Sequence, residues 1–158
     1  MSGISQSTGI LAARNGLWNV VKAATDHRGY KIDRYYATPE IVQSTLWVGF
    51  TDVQVPPDLK NLRARQQFDE EIRIGVSLGA YVAGNGDAAA QEAFDQAYEI
   101  LTEIQDYIGR DDQTRTLGDA VMWCLPGAMS NAGVEVDDGG YVVEIIAEFV
   151  CMHRVRPN

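Results

Sequence analysis

Residues 68–82, FDEEIRIGVSLGAYV, carry the reading on which the fold turns. Phe68, Ile72, Ile74, Val76 and Leu78 alternate with Asp69, Glu71, Arg73, Gly75 and Ser77. That two-residue period is a strand with one dry face and one wet face, and the dry face needs a second layer to cover it. Directly after it, Gly84-Asn85-Gly86-Asp87 breaks the strand and offers Asp87 as a helix cap, with Glu92 in the early turns where the helix dipole favours a carboxylate. The run 87–108, DAAAQEAFDQAYEILTEIQDYI, then places Phe94, Ala97, Tyr98, Leu101, Ile104, Tyr107 and Ile108 at three- and four-residue steps. This predicts an amphipathic helix ended by Gly109, with Gln91, Asp95, Glu99, Glu103 and Asp106 on the face turned to solvent or to a partner.

Towards the C-terminus, residues 110–116 read as a loop, and LGDAVMWCLPG (117–127) reads as a strand apolar on both faces, as in a sheet interior. Pro126 and Gly127 end or bulge it, and AMSNAG (128–133) reads as a loop. The turn Asp137-Asp138-Gly139-Gly140 leads into a long strand, 141–155, with Tyr141, Val143, Ile145, Ala147, Phe149 and Cys151 on one face and Glu144 and Glu148 on the other.

Towards the N-terminus, residues 9–25 form a predicted helix capped by Ser7 or Thr8, with Leu11, Leu17, Trp18, Val21 and Ala24 at mostly helical spacing. Asn15 and Gly16 in its middle require packing support or a bend, since glycine costs on the order of 1 kcal/mol there. Residues 30–38 and 41–50 are strand-like, separated by the turn residues Thr38-Pro39-Glu40, and the second is the stronger strand. It puts Val42, Leu46, Val48 and Phe50 on one face and Trp47 on the other. Residues 52–66 follow as a loop marked by Pro56-Pro57 and by the basic residues Lys60, Arg63 and Arg65.

The expected architecture is therefore α+β: one domain spanning 1–158, with an antiparallel sheet of at least four strands and two main helices packed on one face, in the order α-β-β-α-β-β. Strand and helix do not alternate as a Rossmann-type sheet requires. With 158 residues and 46% apolar composition, the chain can bury one core without a metal or disulfide staple.

Acidic residues outnumber basic ones by 22 to 13, and the formal net charge of -9 argues against a surface that tracks phosphates. No apolar run approaches the roughly 18 residues of a membrane span, and the first ten residues lack the order of a secretory leader, so an intracellular chain is expected. Cys124 and Cys151 lack metal-binding spacing and read as reduced core residues that a hairpin centred near Asp138 would bring almost face to face.

Residues for chemistry are sparse. His27 falls in a polar loop and His153 at the end of the last strand, neither beside a sequence partner. No nucleophile-elbow or P-loop pattern occurs, and Gly84–Asp87 is too short to cradle a phosphate. The acidic clusters Asp69-Glu70-Glu71, Asp111-Asp112 and Asp137-Asp138 lack calcium-loop spacing and read as solvated. The expectation is no catalytic residue, cofactor or metal. The stretch Lys60, Arg63, Arg65 is the candidate partner-docking loop, and Trp18 and Trp47 read as core.

Taken together, the N-terminal helix, the long loop before FDEEIRIGVSL, the acidic amphipathic helix, the TLGDAVMWC strand and the closing YVVEIIAEFVCMHRV strand resemble the tail terminator proteins of long-tailed (siphovirus-type) bacteriophages. The likeness is one of order and texture, concentrated between Phe68 and Val155; residues 28–66 do not follow the family's elements. It implies a homo-hexameric ring that caps the tail tube, ends tube polymerisation and presents the surface that joins the capsid neck. It further implies tail tube protein and a neck or head-completion protein as partners, DNA passing through the lumen without specific binding, and a place at the head-proximal end of the virion tail after assembly in the host cytoplasm. Six copies would carry roughly 54 formal negative charges, which suits a lumen that DNA must not stick to. Competing expectations are a head–tail connector, a ligand-binding domain or enzyme using Tyr98, Tyr107 or Glu144, and a dimer that pairs edge strands.

Overall fold

The computed structural model describes residues 4–5, 8–37, 45–54, 68–136 and 139–155. Its elements in chain order are β1 (Ile4–Ser5), α1 (Ile10–Ala24), a 3-10 segment (Asp26–Lys31), β2 (Asp33–Tyr35), β3 (Leu46–Gln54), β4 (Phe68–Ala83), α2 (Asp87–Ile108), α3 (Asp112–Arg115), β5 (Trp123–Val136) and β6 (Gly140–Val155). The class is α+β, as the sequence pattern predicts, with one mixed sheet at its centre.

The strands run β1-β6-β4-β3-β2, and β5 also pairs with β6. The long pairings β3/β4, β4/β6 and β5/β6 are antiparallel. Two short ones, β1 against Arg154–Val155 and β2 against Trp47–Gly49, are parallel, so the wholly antiparallel sheet of the expectation is corrected. β2 falls inside the strand-like run 30–38 but takes only three of its residues, after a 3-10 segment that ends at Lys31, and β1, at two residues, carries no period.

One face of the sheet holds the core. Ile72, Ile74, Val76 and Leu78 of β4 lie beside Val143, Ile145, Ala147, Phe149 and Cys151 of β6, with Val48 and Phe50 of β3 alongside. Over them lie Ala93, Ala97, Ile100, Leu101, Ile104 and Ile108 of α2 and Ala13, Leu17, Val20 and Val21 of α1. Each large aliphatic side chain buried there contributes about 1.5–3 kcal/mol relative to exposure.

Several local expectations give way to tertiary structure. Leu11 is 67% exposed, and Phe94 and Tyr98 sit at the margin of α2, stacked at 5.9 Å, instead of in its buried stripe. Gly86, with φ 84°, holds the cap position of α2, and Asp87 is its first helical residue, still within reach of the dipole. Gly9, not Thr8, caps α1, without a side-chain cap of its own. Gly16 permits α1 to lie against the 117–120 segment, since a Cβ there would come 2.9 Å from the Leu117 Cβ.

That segment is not the strand its alternation suggests. Leu117, Gly118 and Asp119 all have positive φ, 53°, 70° and 66°, so the chain makes a left-handed turn and β5 begins only at Trp123. Leu117 is buried in this conformation, which costs a non-glycine residue about 1–2 kcal/mol. β5 then runs through Pro126 with a register shift between Pro126 and Met129, and continues across 128–133, so those residues are strand and not loop. Among the described residues β5 pairs with β6 alone, which makes it an edge strand and corrects its expected interior place. β3 likewise extends to Gln54, with a shift between Phe50 and Val53.

Candidate interaction surface

Both long helices lie on one face of the sheet; the opposite face is partly covered as well, since Trp47 and Ser77 are buried on it. Across that opposite face, the shifts in β3 and β5 stand on either side of a shallow trough lined by Asp52, Gln54, Arg73, Gly75, Ser130, Ile146 and Glu148 together with Ala128 and Met129. Bulged strands bend, so two at the same level curl the sheet between them. At about 190 Å³ the trough is smaller than the 300–1,000 Å³ usual for a small-molecule site.

The side chains on this face are arranged in polar rungs. Arg154 Nε donates to Asp69 Oδ1 at 2.7 Å, and this guanidinium holds the Asp69 carboxyl below the ordinary carboxylate range. Arg73 sits between Glu71 at 3.2 Å and Glu148 at 3.8 Å. Hydrogen bonds from Gln54 first, and then Thr51, lower the Asp52 carboxyl in the same sense. Further along, Trp47 Nε1 donates to Ser77 Oγ at 3.3 Å, and Ser77 Oγ donates to Glu144 Oε2 at 2.8 Å. Gly79 makes room for that indole; a Cβ there would fall 1.8 Å from Trp47 Cζ2. Trp47 thus takes the face opposite Val48 and Phe50, as its position in the alternation predicts, and is buried there.

Beside the trough, Leu125 is 48% and Met129 45% exposed, and residues 125–133 of β5 are exposed throughout. This exposed edge was hidden in the sequence by Pro126, Gly127 and Gly133, which read as turn residues.

The sequence-predicted site residues fall in different places. Lys60, Arg63 and Arg65 lie outside the described residues. Tyr98 and Tyr107 are on α2, with the Arg110 guanidinium 4.6 Å from the Tyr107 ring centre, while Glu144 lies on the opposite side of the sheet. The sheet separates these groups, so they form no common pocket. Glu99 and Glu103 do not belong to a purely solvated stripe: Arg28 reaches both, with Nη2 2.8 Å from Glu103 Oε1 and 3.0 Å from Glu99 Oε1. Glu103 also lies 3.2 Å from His27 Nε2, which gives that histidine a partner distant in sequence.

His153 and Glu70 are the larger correction. Both lie on the covered face, 1% and 7% exposed, and His153 Nδ1 is 2.9 Å from Glu70 Oε1. The same carboxylate accepts hydrogen bonds from the Gly9 N–H and the Thr8 hydroxyl. Glu70 therefore acts as the cap that α1 lacks, placed at the positive end of the helix dipole by β4. The arrangement is a latch between helix and sheet.

Cys124 and Cys151 are register partners across β5 and β6, both buried. The contact with Cys151, reinforced by burial, pushes the Cys124 thiol well up, away from the thiolate form that oxidation and metal binding need. Among the described residues no group of three or more His, Cys, Asp or Glu side chains is placed to hold a metal ion, and no helix is long and apolar enough to cross a membrane. No known protein family and no curated protein matches the chain.

Proposed function

We propose that the chain is a structural subunit of the tail-terminator kind, a homo-hexameric ring that caps a phage tail tube, stops its polymerisation and offers the joining surface for a neck or head-completion protein. The observation that carries this reading is the division of labour in the sheet. Both long helices lie on one face, while the other carries, among the described residues, an open polar trough bordered by the exposed stretch 125–133 of β5. A ring subunit needs surfaces of that kind, because each copy must meet two neighbours through different patches and also meet partners above and below.

Charge supports the same reading. A net charge of -9 per chain keeps a DNA passage non-adhesive. In this account the polar rungs around the trough and the basic residues Lys60, Arg63 and Arg65 serve recognition, with no chemistry assigned to them.

The test is to mix the purified chain with polymerising tail tubes and measure tube length by electron microscopy. The reading predicts tubes that stop growing and carry a ring at one end, and weaker capping when Arg63 and Arg65 are both reversed to Glu in a protein that stays folded. Tubes that elongate unchanged and carry no added density would overturn it.

A further inference from the structure

We infer that the outer edge of β5 between Met129 and Gly133 takes up an extended segment of a partner protein, one with lysine or arginine at alternate positions; this rests on the ring reading, in which the tube or neck protein supplies that segment. Residues 125–133 are exposed throughout, and among the described residues β5 pairs with β6 alone. An open edge is ordinarily guarded by lysines, prolines or bulges. Pro126 and the register shift that ends at Met129 guard the start of β5. From Met129 to Gly133 the register is unbroken, and the stretch contains neither a charged residue nor a proline. An edge of this kind offers a row of backbone donors and acceptors that another extended chain matches, which fixes the occupant as a strand.

Charge sets the side chains of that strand. Ser130 and Ala132 share a face with their register partners Ile146 and Glu144, and this is the face of the trough. Two carboxylates stand on it one strand in from the edge. Glu144 is opposite Ala132, and Glu148 Oε1 lies 2.9 Å from where a Gly127 Cβ would be. Arg73, the base that lines the trough, is 3.8 Å from Glu148 and shared with Glu71. Gly127, Ser130 and Ala132 have little bulk with which to screen these carboxylates from the edge. A strand added to β5 would lie two strand spacings, about 10 Å, from β6, a gap that an extended lysine or arginine and a glutamate close between them. On the other face Met129, 45% exposed, offers an apolar neighbour to the intervening side chains. A second copy of β5 answers this pattern poorly, because residues 125–133 bring no cation to Glu144 and Glu148.

The probe is a short peptide alternating valine and lysine, and the readout is amide hydrogen exchange of the full chain, resolved residue by residue by NMR. With the peptide, the alternate amides of 129–133 that point away from β6 should gain protection. The same peptide methylated at its backbone nitrogens should protect none of them, and one with glutamate in place of lysine should bind about tenfold more weakly. Ser130→Lys with Ala132→Lys, both at exposed positions, guards the edge and should abolish the protection while the circular dichroism spectrum stays native. Should that variant not fold, the methylated peptide on the wild type carries the same comparison. Equal protection by the methylated peptide, equal binding of the two charge types, or protection confined to residues outside β5 would overturn the inference. A wild-type dimer that the lysine variant abolishes would make a second copy the occupant and overturn it likewise. Tail tubes capped equally well by wild type and a folded lysine variant would remove this contact and leave the ring reading standing. Strand addition of the peptide by a chain that caps no tubes would leave the site and remove the ring reading.

Discussion

Glu70 sits at a position of the β4 alternation that belongs to the dry face, between Phe68 and Ile72, and the structure keeps it there. Burying a carboxylate is tolerable because Gly9, Thr8 and His153 supply its hydrogen bonds. Removing one partner of such a buried pair costs about 3–5 kcal/mol, whereas an exposed pair contributes about 1 kcal/mol at most. Glu70→Ala is therefore expected to lower the urea midpoint far more than Asp69→Ala, which breaks the partly exposed pair with Arg154. Equal midpoints for the two variants would contradict the latch. The Asp69 carboxyl is held low by Arg154, so its small contribution is present above the carboxyl's unfolded pKa and fades as pH falls through the lower native value. At this scale the sequence discloses the parity of Glu70 but not its partners, since Thr8 and His153 are 62 and 83 residues away along the chain.

Among elements, the two long strands and α2 were legible because each repeats one period over many residues: two for β4 and β6, about three and a half for α2. β5 was misread at both ends for opposite reasons. The apolar alternation of 117–121 is spent on a left-handed turn wedged against Gly16, where Leu117 serves packing and not a strand face. Residues 128–133, polar and small, are held extended by their register with Asn131 opposite Ile145 and Gly133 opposite Val143, so the partner strand supplies the order that local propensity lacks. The same logic makes the centre of β4 intolerant. Ile74 is wholly buried opposite Phe149, and an aspartate there leaves an unpaired carboxylate costing several kcal/mol out of a typical total of about 5–15. Ile74→Asp should show no cooperative thermal transition by circular dichroism; a soluble variant melting like the wild type would refute the assignment of this face to the core.

Seen as a whole molecule, the described residues put most of their buried apolar side chains on one side of the sheet and expose a polar trough and the 125–133 stretch of β5. The surface that carries the functional proposal was the least legible part of the sequence. The trough exists only because bulges in β3 and β5, 75 or more residues apart, fall at the same level of the sheet. No local pattern in either strand announces that coincidence. The acidic balance, by contrast, was plain from composition and points away from a nucleic-acid grip whatever the assembly. Native mass spectrometry of the purified chain, read alongside negative-stain images, tests the central claim most directly. The account predicts a six-copy ring with an open centre; a particle that stays monomeric or stops at a two-fold dimer, alone and on tail tubes, would contradict it.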